Sequence, residues 1–174
     1  MKHSIRQAAI AVTLIALGGS ALADTNKAID GPLDPGKDGL IFCSAPNTKQ
    51  KTCESAATYD FLSNGKIATQ TRLLVSLKPR IEMRVQSIIY GKGKEICGPI
   101  LKEDIDSATF LIEGSPAPEN ASIQLRSIVA DNMFAATLGQ TICVTYWKTQ
   151  TGLAMKSNVN GKMVTLPYSW VRPE

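Results

Sequence analysis

Residues 80–86, Arg-Ile-Glu-Met-Arg-Val-Gln, alternate between polar and apolar side chains. Successive side chains of a β-strand point to opposite faces, so this period of two predicts a half-buried strand with Ile81, Met83 and Val85 turned inward. Further strand-like segments lie at residues 67–77, 109–113, 141–147, 152–159 and 162–171, the last two on either side of the hairpin dipeptide Asn160–Gly161. Most of the chain is therefore expected to form short strands.

One segment departs from the strand pattern. Residues 118–138 place Leu125, Ile128 and Val129 at helical spacing, and Gly139 is suited to the C-terminal cap of a helix. A single helix inserted late among strands favours an antiparallel sheet covered on one side. The predicted fold class is α+β: a small antiparallel sheet with one long helix packed on one face, supported by disulfides.

The amino-terminal residues 1–23 have the features of a secretory signal peptide. Lys2 and Arg6 precede an apolar stretch at residues 8–17, and Ala21-Leu22-Ala23 is a small-x-small cleavage site. The apolar stretch is about half of the ~20 residues that a transmembrane helix needs. We therefore expect cleavage after this site, a periplasmic or secreted protein, and no transmembrane segment once the signal peptide is removed.

The rest of the chain divides into a leader and one domain. Residues 24–39 are rich in Pro and Gly and lack periodicity, which predicts a flexible leader, and residues 40–174 are expected to form a single α+β domain. The 19 Lys and Arg residues fall to 17 without the signal peptide, against 15 acidic residues, so the mature net charge would be +2. This small excess of positive charge does not favour nucleic-acid binding.

Four cysteines follow the predicted signal peptide, and an even number in an exported protein favours two disulfides. Three pairings are possible. We favour Cys43–Cys53, because strand-like residues on both sides of a polar turn would form a hairpin there. The second bond would then join Cys97 to Cys143, which both follow an Ile in strand-like sequence. No Cys-x-x-Cys spacing indicates a redox or zinc site, and we expect no bound metal or cofactor.

Histidine chemistry is excluded from the predicted mature protein, because the only histidine, His3, lies in the signal peptide. A Ser-His-Asp triad and a Cys-His pair therefore have no imidazole. A hydrolase could still use two carboxylates roughly 5–9 Å apart in a cleft. The candidates for such a pair are Glu82, Glu95, Asp104, Asp106 and Glu113.

Basic side chains form the first group of candidate binding residues. Arg80 and Arg84 would share the outer face of one strand. Lys92 or Lys94 would lie near them if that strand pairs with its neighbour. Such a patch could contact an anionic envelope polymer or an acidic protein surface. The alternative is a solvated strand face with lysines protecting a sheet edge.

Aromatic side chains form the second group. Tyr168 and Trp170 share one face of the last strand, whereas Tyr146 and Trp147 point to opposite sides of an earlier strand. An exposed Trp–Tyr pair would suit stacking on a ligand or contact with a protein, and the alternative is packing in the core.

These observations favour a small exported, non-catalytic binding protein, whose partner is an exported protein or an anionic envelope polymer and which could act as an inhibitor or an adaptor. One alternative is the histidine-free carboxylate hydrolase, acting on cell-wall or glycan material. A second alternative is a structural component of the envelope. The residues do not identify the ligand.

Overall fold

The computed structural model describes residues 27–28, 30–47, 49, 52–159 and 162–173. The predicted signal peptide at residues 1–23 and the predicted Asn160–Gly161 turn lie outside these residues. Among the described residues, no helix is both long and apolar enough to cross a membrane.

The described residues form eleven strands and three short helices. In chain order these are β1 (Lys27–Ala28), α1 (Asp34–Lys37), β2 (Ile41–Ser44), β3 (Ser55–Phe61), β4 (Lys66–Leu77), β5 (Arg80–Lys92), β6 (Glu95–Pro99), α2 (Lys102–Asp106), β7 (Thr109–Ile112), β8 (Ser115–Pro116), α3 (Glu119–Val129), β9 (Thr141–Thr149), β10 (Gly152–Val159) and β11 (Lys162–Val171). A five-residue π-helical turn, Ala130–Phe134, continues α3.

Eight of the strands close into an antiparallel barrel. Its order is β2-β3-β4-β5-β6-β9-β10-β11, and β11 pairs with β2 to complete the circle. Strand β7 pairs with β5, β8 pairs with β7, and β1 pairs with β9. The predicted α+β fold, a small sheet with one long helix on its face, is therefore wrong: the protein is mostly β.

The helix was predicted at the correct place in the sequence, but it covers less of the sheet than the predicted fold requires. α3 and its π-helical turn lie inside the predicted 118–138 segment, but they cover only one part of the sheet. Strand β5 divides the sheet, because Ile81–Arg84 pair with β7 whereas Tyr90–Lys92 pair with β6. Closure of the barrel then depends on the pairing of β6 with β9. In the sequence, α2, β7, β8 and α3 lie between these two strands. Local periodicity carries no information about such a long-range pairing.

One core fills the barrel with aromatic side chains. Phe42 is its centre: its ring contacts those of Tyr59, Tyr146, Tyr168 and Trp170 at centroid distances of 5.0–6.4 Å. Leu33, just before α1, is 2% exposed and belongs to this core. The described fold thus includes residues before the predicted domain boundary at residue 40.

A second core lies between α3 and the sheet formed by β4, β5 and β7. Met83 is fully buried there beside Phe110, its register partner on β7, and Val129 packs onto them from α3. Ile81 and Val85 pack against the same cluster, which confirms the predicted inward face of residues 80–86.

Two disulfides connect neighbouring strands of the barrel, with the pairing that the sequence favours. Cys43 of β2 bonds to Cys53, which precedes β3, and Cys97 of β6 bonds to Cys143 of β9. They are compatible with an oxidising extracellular compartment.

Candidate functional site

A row of register partners crosses the outer surface of the barrel. Ser169 of β11 pairs with Cys43 of β2, which pairs with Ala56 of β3; Ala56 pairs with Arg72 of β4, which pairs with Arg84 of β5. Their neighbours along each strand, such as Phe42, Leu73 and Met83, belong to the two cores. Because side chains alternate along a strand, the whole row faces outward.

Arg72 and Arg84 are an uncompensated pair of like charges. Both side chains are exposed, they occupy directly opposed positions, and neither forms an ion pair with any described residue. Like charges directly opposite each other on neighbouring strands destabilise a sheet. Gln70 and Gln86 form the next outward pair along the same two strands and add amide groups beside the guanidinium groups.

Two concave regions meet at Arg72. One, of about 620 Å³, is lined by Arg84 together with Thr58, Gln70 and Gln86. The other, of about 710 Å³, is lined by Arg80, Glu82 and Arg172. Both are also lined by Ile41, Ala56 and Arg72. We call the combined surface around Arg72, Arg80, Arg84 and Arg172 the arginine groove.

The arginine groove is strongly positive for its size. Its lining contains four arginines and a single acidic residue, Glu82. The carboxylate of Glu82 accepts hydrogen bonds from Nε and Nη2 of Arg80, at 2.8 and 2.6 Å. Arg72, Arg84 and Arg172 therefore keep guanidinium donors that no described acidic side chain occupies. Guanidinium groups bind carboxylates and phosphates through paired N–H donors.

The structure does not bring the four predicted basic residues together. Arg80 and Arg84 line the arginine groove. Lys92 is at the other end of the same strand, eight positions from Arg84, which corresponds to about 27 Å along an extended chain. Lys94 lies in the following turn, and its Nζ is 3.7 Å from a carboxylate oxygen of Asp30. Lys92 and Lys94 therefore do not belong to the groove.

The predicted aromatic residues lie elsewhere. Tyr146 and Tyr168 are 5% and 4% exposed and belong to the barrel core, against which Trp170 also packs. Burial raises the pKa of all three core tyrosines, to about 12 for Tyr168, and neighbouring phenols raise those of Tyr59 and Tyr146 further. The hydroxyl groups therefore stay protonated at neutral pH, and the buried rings of Tyr146 and Tyr168 offer no stacking surface, whereas Trp170 is half-buried.

Trp147 is the one predicted aromatic residue on the outward face of its strand. Its ring lies beneath Lys156, whose Nζ is 5.1 Å from the ring centroid. The indole Nε1 is buried and has no hydrogen-bond partner within the described part of the chain. Trp147 lies on β9, away from the strands that carry the arginine groove.

The carboxylates proposed for hydrolysis are spread over several elements. Glu82 lies on β5, Glu95 on β6, Asp104 and Asp106 on α2, and Glu113 after β7. Burial, followed by the charge of Glu103, raises the pKa of Asp104. Asp106 accepts a hydrogen bond from Lys102, and Glu82 is engaged by Arg80. Only Glu82 lines the groove.

The described residues contain one cluster of three potential metal-ligating side chains. The ligand atoms of Glu95, Cys97 and Cys143 lie within 4.8 Å of one another. Both sulfur atoms are bonded in the Cys97–Cys143 disulfide, so neither is a thiolate able to bind a metal.

No protein-family model, no curated protein and no solved structure matches this chain. The function must therefore be inferred from the barrel and the arginine groove.

Two groove residues, Arg72 and Arg172, were absent from the predicted site. Both could be recognised as basic, but nothing in the local sequence places Arg72 beside Arg84 or brings Arg172 to the same surface. For Arg72, the available signal was the β4–β5 hairpin: a predicted strand pairing for this hairpin could have placed Arg72 opposite Arg84.

Proposed function

We propose that this chain is a small exported binding protein, periplasmic or secreted, without catalytic activity, and that its arginine groove holds an anionic partner. The opposed pair Arg72 and Arg84 carries the proposal. A ligand carboxylate or phosphate between them would replace repulsion by two charge-assisted contacts. In the unliganded barrel the repulsion between these adjacent charges lowers the stability of the fold. Such a loss of stability is common at binding sites.

An anionic envelope polymer fits the groove better than a protein surface does. The buried anchors of protein interfaces usually include Trp or Tyr side chains in addition to Arg. The described lining of the groove has no aromatic residue, and its hydroxyl and amide groups include Thr58, Gln70 and Gln86. These polar groups suit the hydroxyl groups of a glycan.

The proposal of a non-catalytic role is supported by two observations. Residues 24–174 contain no histidine. Within the groove the single acidic side chain, Glu82, is already held by Arg80. Neither observation favours the carboxylate hydrolase over a binding protein.

The test is a titration of the purified protein with fluorescein-labelled polygalacturonate and, separately, polyphosphate, with neutral dextran as the reference. We expect binding that weakens as salt is added, because the contacts are between opposite charges. Arg72→Gln and Arg84→Gln should each weaken binding roughly tenfold, as expected for loss of a charge-assisted contact. A Lys92→Gln/Lys94→Gln double variant is the matched control and should bind normally.

Two results would refute the proposal. The first is the absence of binding to both polyanions at low salt. The second is equal binding by wild type, Arg72→Gln and Arg84→Gln, which would show that general charge and not the groove attracts the polymer.

A further inference from the structure

We infer that the arginine groove takes an extended linear polyanion that lies across the strands and is held at two separated points. The Arg72–Arg84 pair forms the first point and Arg172 the second. This inference rests on the proposed function and specifies the shape of its ligand: a chain with repeated anionic groups, as opposed to a single small anion.

The two points are separated by most of one side of the barrel. Arg84 is on β5 and Arg172 follows β11, with β4, β3 and β2 between them. These are four strand spacings, or about 19 Å at 4.7–4.9 Å each. A small anion between Arg72 and Arg84 would occupy only the first point, because the strand of Arg72 is itself three strand spacings, about 14 Å, from β11.

The surface between the two points can accommodate a chain. The outward row there consists of the small side chains of Ala56, Cys43 and Ser169, and all three line the concave surface. No charged side chain stands in this row between Arg72 and the end of β11. Cys43 itself is 2% exposed and is bonded to Cys53, which lines the same surface. The row thus carries no charge in its middle and is positive at both ends, which matches a chain with charges at intervals.

An extended peptide is a poorer match for this position. Peptides that lie along a sheet usually add to a free edge, where unpaired backbone groups provide hydrogen bonds. Here the row runs across strands that are paired on both sides at these residues, from Cys43 through Ala56 to Arg72. The ligand must then be recognised through side chains, which suits a glycan or another backbone-independent polyanion.

The test is a length series of oligogalacturonates, from the monomer to chains that reach beyond four strand spacings, titrated by calorimetry. A second contact on the same molecule raises its effective concentration at the second point, so affinity should rise steeply, roughly tenfold or more, once the chain spans both. Arg172→Gln should remove this rise, so that long oligomers gain little over short ones, whereas the Lys92→Gln/Lys94→Gln control, whose changes lie outside the groove, should keep the rise. Arg72→Gln should weaken binding at every length. A parallel series of oligophosphates distinguishes phosphate from carboxylate as the recognised group, and a steep rise in either series supports the inference.

The failure of this inference is distinguishable from failure of the proposed function. Affinity that depends on Arg72 but not on ligand length, or a length effect that survives Arg172→Gln, would overturn the two-point ligand while leaving an anion site. Binding that is insensitive to Arg72 and Arg84 would overturn both. Oligoglutamates that bind more tightly than both other series would overturn the assignment to an envelope polymer.

Discussion

Arg72 and Arg84 lie directly opposite each other on β4 and β5 because of a single irregularity in the hairpin that joins these strands. Near the turn, Leu77 pairs with Arg80 and Ser76 with Ile81, but the register shifts between Leu74 and Ser76. Without that shift, the same hairpin would place Arg72 opposite Val85. One extra residue on β4 thus creates the pair of like charges in the proposed binding site.

Reversing one of the two charges should stabilise the protein. In Arg84→Glu the new carboxylate would lie opposite Arg72, and cross-strand pairs of opposite charge contribute about 0.2–1 kcal/mol. We expect a higher midpoint of urea unfolding together with loss of polyanion binding. Arg84→Gln, which only removes the repulsion, is the control and should give a smaller increase. A decrease in stability for Arg84→Glu would show that the two charges do not interact.

Removing the Cys97–Cys143 disulfide should destabilise the barrel more than removing Cys43–Cys53. The two bonds span 46 and 10 residues. In the chain-entropy model these separations correspond to about 4 and about 3 kcal/mol. Paired Cys→Ala variants, compared by guanidinium unfolding, provide the measurement, because alanine leaves no buried hydroxyl group. The opposite order of stability would contradict the expectation.

The barrel should lose stability in alkaline solution. The pKa of Tyr168 is raised from 10.0 to about 12 by burial, and burial also raises the pKa values of Tyr59 and Tyr146. Above pH 10 the unfolded chain loses phenolic protons that the folded chain retains, so the free energy of unfolding falls as pH increases. The contribution of Tyr168 is complete below pH 10 and is lost as pH rises towards 12.

Thermal unfolding across this alkaline range measures the effect. Tyr168→Phe keeps the ring that stacks on Phe42 at 5.0 Å but removes the ionisable hydroxyl. This variant should therefore lose stability less steeply with pH than wild type does. Identical slopes for the two proteins would show that Tyr168 is not protected from ionisation.

Phe42 should be among the most sensitive positions of the fold. Its side chain is buried and contacts four other aromatic rings inside the barrel. Phe42→Ala is expected to cost about 3–5 kcal/mol, the range for truncation of a buried Phe. Phe61→Ala is the matched control, since Phe61 is exposed and its ring contacts only Lys37 among the described cation–π and ring pairs. Equal losses in urea unfolding would exclude Phe42 as the centre of the core.

Local patterns identified many of the elements. The alternation of residues 80–86 correctly placed Ile81, Met83 and Val85 inward, since a strand with one buried face must repeat every two residues. Helical spacing located α3 within residues 118–138. The fold class was nevertheless wrong, because the closing contact between β6 and β9 depends on residues far apart in the chain.

The sequence by itself determined most of the strands, though not β3, together with the position of the main helix and the chemical types of side chain available, because these depend on neighbouring residues. It also showed that residues 24–174 contain no histidine. Only the tertiary structure decided that the strands close into a barrel, that Tyr146 and Tyr168 are interior, and that Lys92 is far from Arg84. The tertiary structure also decided that Arg72 lies opposite Arg84. The register of β4 and β5 depends on a β-bulge and on pairing partners that no local pattern specifies.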